Sequence, residues 1–432
     1  MHRFLLVSSL LLAACSASNP DRYSKKDFHV ERLSQIKANL AFTCKYETIP
    51  APSADSDVLF QYARWLEKNN QLKQESSVYS EIERLYRIAS ESGHYKANIN
   101  LQNGAMRGHY TLKGAEHLRM SQQLIDAKVA RGYFFIGYFL QQGSAGLPKD
   151  PALALRYFRK AADAGNPEAQ YQVAEKLAPI DVAPDIARQM RRCAAEQGHG
   201  QAATALGINL KNLKGKADYR GALEAFQLGV AAGDETAASF LDDGFRGPKP
   251  TDELHYIGQP EDLERADRYK KIWKLLAGYS YAQPKVPEIN EIVPLPPAKL
   301  PPWDGKLKWV EERKANIQPP KPSESLIQEL AKAKLLDPKT GRPMPGSPAF
   351  VRTRSPAPIC NSGEACPRSG YWQIIGVDNY WSIVEGRTIR RFQQGERMPT
   401  PVIERRYTRL WPLPDKVTKG PESVRWVLYG DA

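Results

Sequence analysis

The sequence predicts an α+β protein: an α-solenoid of helical hairpin repeats, a proline-rich strap, and a small disulfide-stapled antiparallel β domain at the C-terminus. Three observations predict it. Glycines recur at positions 93, 165, 198 and 233, each with an alanine four residues later. Fourteen of the 33 prolines crowd into residues 284–349, where no regular helix can run on. From Phe350 onward, short aromatic and β-branched runs replace the helical pattern. The composition, 42% hydrophobic and 25% charged over 432 residues, is that of a globular chain of two or three domains and excludes a wholly disordered one.

The chain opens MHRFLLVSSLLLAAC, with Arg3 ahead of a short apolar run from Phe4 to Leu12. That run is too short to span a bilayer. Leu12-Ala13-Ala14-Cys15 resembles the bacterial lipoprotein signal, in which the chain is cut before the cysteine and the cysteine is acylated. The resemblance implies lipidation at Cys15, and three acyl chains exceed what stable anchoring needs. Ser16 stands where the family's sorting rules place Asp for inner-membrane retention, so the expectation is the outer membrane, facing the periplasm. Beyond the leader, no run of 18 apolar residues follows.

The repeat begins at Tyr86–Ala97 and recurs at Tyr157–Ala169, Met190–Ala202 and Phe226–Ala237. A degenerate copy places Lys128 and Gly132 in the glycine and alanine slots, so the series 93, 128, 165, 198, 233 steps by 35, 37, 33 and 35 residues. Such a period is that of a helical hairpin stacked on its neighbours. Glycine ends one helix in a left-handed turn, and small alanines let helices cross closely. Asp150-Pro151 opens a helix with a cap and a first-turn proline. The run Gly137-Tyr138, Gly143, Asp150, Ala154, Tyr157-Phe158, Ala161-Ala162, Gly165 and Ala169 resembles the Sel1-like repeat, a relative of the tetratricopeptide repeat, over roughly residues 75–245. The resemblance implies docking of other proteins on a concave face and carries no catalytic residue. The second unit departs from it, reading Ala178-Pro179-Ile180-Asp181-Val182-Ala183-Pro184 in place of the glycine-rich loop.

Residues 262–278 carry apolar side chains at Leu263, Ala266, Tyr269, Ile272, Trp273 and Leu276, the face of a helix that caps the solenoid. The proline block that follows reads either as an extended strap along the repeats or as a solvated hinge. Within it, Ser323 caps an amphipathic helix to Leu336, with Leu326, Ile327, Leu330 and Leu335 on one side. In the tail, 371–375, 380–384, 388–392 and 424–429 read as strands. The expected organisation is 1–14 signal peptide, 15–54 anchored segment, 55–282 solenoid, 283–349 strap and 350–432 β domain.

Setting Cys15 aside, four cysteines remain. Cys360 and Cys366 enclose a loop of turn formers and are expected to pair in an oxidising compartment. Cys44 and Cys193 read either as a second pair or as separate thiols, Cys193 a small buried one among alanines.

No GxSxG, HExxH or phosphate-binding GxxxxGK motif occurs, and the seven histidines form no metal-ligand spacing. His94 and His199 each follow a repeat glycine, a structural position. A binding protein rather than an enzyme is expected, with no cofactor and no metal. Net charge is +13, but residues 350–432 hold only 13 Arg/Lys against 8 Asp/Glu, no dense nucleic-acid patch. The tail order Cys366-Pro367, Gly370-Tyr371-Trp372, Phe392, Gly395-Glu396, Met398-Pro399 and Leu410-Trp411 resembles that of bacterial immunity proteins of antagonistic secretion systems. That resemblance implies a lipoprotein that occludes a type VI secretion toxin, a phospholipase; the alternative is a membrane-tethered scaffold. Arg390, Arg391, Arg405 and Arg406 are candidate partner contacts on charge alone, an ordinary solvated surface being the other reading.

Overall fold

The computed structural model describes residues 40–179, 182–350, 358–375, 381–383, 389–407 and 416–431. The leader and Cys15 lie outside them. Two units divide the chain, residues 1–350 and 351–432.

The first unit is a stack of antiparallel hairpins: α1 (Ala54–Asn70), α2 (Ser76–Glu91), α3 (Tyr95–Met106), α4 (Gly114–Asp126), α5 (Arg131–Gln142), α6 (Pro151–Asp163), α7 (Pro167–Leu177), α8 (Pro184–Glu196), α9 (Gly200–Lys211), α10 (Lys216–Ala231) and α11 (Glu235–Phe245). The repeat signature is a turn followed by a cap. Gly93, Gly165, Gly198 and Gly233 all have positive φ, and Lys128 takes the same left-handed conformation at its degenerate place. The next residue (His94, Asn166, His199 or Asp234) then accepts from the backbone N–H of the repeat alanine three positions on, at 3.0–3.1 Å. Those alanines are fully buried. In the fifth copy a Cβ on Gly132 would lie 2.5 Å from the Ser121 carbonyl, so the slot requires a small residue.

Helix α12 (Leu263–Gly278) closes the stack, capped by Asp262. Ala266, Tyr269, Ile272 and Leu276 form its buried face as expected, whereas Leu263 and Trp273 are solvent-exposed. The proline block resolves as a strap. Its first half, with α13 (Ile289–Ile292) and α14 (Lys308–Ala315), inserts Val286, Ile289, Val293, Leu307 and Val310 into the core of α10–α12. Its second half, with α15 (Glu324–Ala333), inserts Ile327, Ala331 and Leu336 into the core of α1–α2. Ser323 caps α15 as expected, while Leu335 turns outward with φ +52. The strap thus runs from the last hairpin to the first. Asn69 and Asn316 exchange amide hydrogen bonds of 2.8 and 3.2 Å, Arg84 pairs with Glu324 at 2.6 Å, and its Nε donates to the Pro338 carbonyl.

Residues 40–52 are extended and lie on the repeats. Leu40 and Phe42 pack on the core of α5–α8, and Ile49 on that of α3–α5. A disulfide joins Cys44 to Cys193 across 149 residues.

In the second unit, β1 (Ile359–Asn361), β7 (Arg425–Asp431), β2 (Gly370–Ile375) and β4 (Ile389–Phe392) form one antiparallel sheet in that order. A second holds β3 (Trp381–Ile383), β5 (Val402–Tyr407) and β6 (Lys416–Pro421), the last two not anticipated from the sequence. Trp372 and Trp426 are fully buried between Phe392, Ile374, Met398 and Ile403. The expected Cys360–Cys366 disulfide is corrected here: both are buried free thiols. The loop between them is closed without sulfur, Glu364 accepting from the Asn361 N–H and carboxamide at 2.7 and 2.9 Å, and each thiol faces a local carbonyl, Ala365 for Cys360 and Arg368 for Cys366. Burial pushes the Cys360 thiol up to about 11.

Candidate functional site

The four arginines singled out from charge fall on two different sheets. Arg390 and Arg391 are adjacent on β4, so their side chains leave opposite faces; Arg391 is exposed and Arg390 half-buried. Arg405, on β5, is engaged by the Glu422 carboxylate through Nε at 2.9 Å and Nη2 at 2.7 Å. The side chain of Arg406 lies outside the described residues, as does Cys15. Among the described residues no group of His, Cys, Asp and Glu side chains is placed to hold a metal. No helix there is long and apolar enough to cross a membrane.

The first unit contains a cavity of about 820 Å³ where the two ends of the repeat stack approach each other. Its walls are Glu47 and Ile49 from the extended segment, Arg64 and Glu67 from α1, Lys96, Asn100 and Asn103 from α3 with Arg107 at its C-terminal end, and Tyr281–Gln283 after α12. Tyr79 and His109 add a stacked aromatic pair with ring centroids 4.4 Å apart. That volume is in the range of sites that admit a small molecule or a few residues of peptide.

The wall is built from hydrogen bonds and ion pairs. Glu47 sits above the Asn166 cap, accepting from the Arg131 N–H at 2.5 Å and from the Asn166 carboxamide at 3.0 Å, and burial raises its carboxyl above the usual carboxylate range. Arg131 pairs in turn with Glu168 at 2.5 Å. Glu67 is held by Arg64 at 2.9 Å and accepts from the Tyr86 hydroxyl at 2.9 Å. Behind them Tyr110 is 4% exposed and its hydroxyl has no hydrogen-bond partner among the described residues; burial and the Glu67 charge hold it in the protonated form.

His94, at the edge of this region, caps α3 through Nδ1, which must carry a lone pair, while Nε2 faces Asp57 at 3.2 Å. Burial lowers its pKa, which keeps the ring neutral as the cap requires. The structural role expected for His94 and His199 is therefore that of a helix cap. None of the cavity residues was singled out from the sequence. Only Gln74 and Gln283 leave a trace, as non-glycine residues at φ +54 and +53, and nothing in their local sequence announces it.

The chain is similar in part to known proteins. Residues 130–166 match the Sel1 repeat. Residues 237–344, from α11 through most of the strap, match a domain of unknown function, DUF6396. Among solved structures, the Pseudomonas aeruginosa protein PA5086 is 26% identical, with a TM-score of 0.45, covering 59% of this chain and 95% of that one. The immunity protein Pa5087 from the same organism is 24% identical, TM-score 0.45, over 60% of this chain and 95% of that chain. The immunity protein PA5088 is 25% identical, TM-score 0.46, over 59% and 94%. No curated protein matches the chain.

Proposed function

We propose that this protein is an envelope lipoprotein, anchored through Cys15 at the periplasmic face of the outer membrane, that binds a type VI secretion toxin and neutralises it by occlusion. The toxin is a phospholipase, and the role is that of an immunity protein. The observation that carries the reading is the repeat body with its two ends brought together around a cavity of about 820 Å³, room for a segment of another molecule. In its wall Arg64 pairs with Glu67 and Arg131 with Glu168. The Cys44–Cys193 disulfide agrees with export to an oxidising compartment. The net charge of +13 favours capture of an acidic partner.

The test is direct. The chain from residue 16 onward is mixed with purified type VI secretion phospholipases, and lipid hydrolysis is followed as the molar ratio rises. Activity should fall in proportion to added protein and be lost near equimolar amounts. Full activity at a large excess would overturn the inhibitor reading. A stable complex with undiminished activity would replace it with that of a tethered adaptor.

A further inference from the structure

We propose that the cavity between α1, α3 and the Tyr281–Gln283 turn is a receptor for an extended polypeptide segment bearing an acidic side chain, and that this is where the partner protein docks. The proposal rests on the binding reading above and specifies its site and chemistry.

The structure already contains one extended segment held by this fold, and it displays the chemistry. Residues 45–47 are gripped through their main chain by carboxamides: Gln170 donates to the Lys45 carbonyl at 2.9 Å, and Gln197 accepts from the Glu47 N–H at 2.8 Å. A primary amide offers both a donor and an acceptor, so it matches a peptide group whatever side chain the peptide carries. The repeat turn is shaped for the same approach. A Cβ on Gly165 would stand 2.6 Å from the backbone of Tyr46, so the bare glycine lets the chain lie flat against the turn. At Gly233 the backbone of Pro284 occupies the corresponding place. Two of the chain's own extended segments are thus seated on repeat turns by main-chain contact.

Beside these segments, the cavity presents carboxamides of the same kind that are not yet used. The side chains of Gln74, Asn103 and Gln283 line it, and none makes a hydrogen bond within the described residues. Two cations, Lys96 and Arg107, are exposed on its α3 wall and stand in no ion pair among the described residues, unlike Arg64 and Arg131 in the same wall. Unused amides beside unpaired cations favour a peptide main chain carrying a carboxylate over a neutral or cationic ligand. A cavity of about 820 Å³ accommodates several residues of such a segment.

The experiment uses the oxidised chain from residue 16 onward and phage-displayed random dodecapeptides as the probe. Panning on the wild-type protein should enrich peptides containing Asp or Glu. Binding of those peptides should weaken at least tenfold on the double variant K96E/R107E and by a comparable factor on Q74A/N103A/Q283A. All five positions are at least partly solvent-exposed, and unchanged circular dichroism checks that the variants fold. Bound peptide should also slow acetylation of Lys96 by an amine-reactive ester. If no peptide is enriched, or if the enriched peptides bind both variants as tightly as wild type, the proposal is overturned. The same variants are then titrated against the phospholipase. Inhibition by wild type that persists undiminished in both variants leaves the immunity reading standing and removes the cavity as its docking site. Peptide binding without any inhibition by wild type does the reverse.

Discussion

Gly165 and Gly198 hold the same slot of the repeat and differ in what lies above them. Both have positive φ, +107 and +84, a region that costs an L-residue about 1–2 kcal/mol. Above Gly165 passes the backbone of Tyr46 and Glu47; above Gly198 there is open space within 4 Å. Gly198→Ala should therefore lower stability by only that conformational cost of about 1–2 kcal/mol. Gly165→Ala adds a collision with an immobile backbone and should cost roughly twice as much, in the range of overpacked cores. Chemical denaturation of the two variants checks this, and equal losses would refute the close approach of the N-terminal segment. The glycines were legible in the sequence as turns. Their difference was not, because the covering atoms come from a segment more than 100 residues away. The caps at His94 and His199 have the same history: the position was readable, but the lone pair on Nδ1 became evident only with the alanine N–H in place.

The extended segment 40–52 is a secondary-structure element without internal hydrogen bonds, and everything that holds it comes from the repeats. Arg159 donates to the Ala41 carbonyl at 2.7 Å, Tyr46 donates to Glu196 at 2.6 Å, and Glu47 bridges Arg131 and Asn166. Hydrogen bonds of this kind contribute about 1 kcal/mol each. The Cys44–Cys193 bond closes a loop of 149 residues, which in the chain-entropy account is worth about 5 kcal/mol. Cys44→Ser together with Cys193→Ser should lower the thermal midpoint by several degrees and raise amide hydrogen exchange through residues 40–52. Treatment of wild type with reductant should reproduce both effects. An unchanged midpoint and exchange pattern would mean that the non-covalent contacts suffice. The sequence left this pairing open and favoured Cys360–Cys366 on loop composition. Composition records how readily a loop turns, not whether two sulfurs meet at its ends, and in that loop carboxylate and amide groups already close the turn.

The repeat body as a whole owes its closed form to the strap. Ile327 and Ala331 are buried in the core of the first hairpin, while Val286 and Ile289 belong to the core of the last. Burying an aliphatic side chain of this size contributes about 1.5–3 kcal/mol, so a few contacts at each end hold the ring shut. Ile327→Asp places a charge among Leu59, Leu85 and Tyr86 and should release α15 from the first hairpin. Limited trypsin digestion should then cut between residues 306 and 334 at least tenfold faster, with helical circular dichroism largely kept. Resistance equal to wild type would refute a closing role for the strap. The apolar residues within the proline block hinted at such packing, and the amphipathic helix at 324–333 was readable from its serine cap and spacing. What they pack against was not readable.

Period, turn and cap are local: glycine, capping residue and alanine lie within five positions, so any window of the sequence contains the whole device. The helical repeat, the break at the proline block and the change to strands are therefore written in the residues themselves. Closure and the Cys44–Cys193 bond join groups 149 to 254 residues apart. Those distances are set by the rotation each hairpin adds to the one before it, a sum over many packing angles that no short pattern encodes. The tertiary structure alone decides that the two ends of the solenoid meet, and the candidate site exists only where they do.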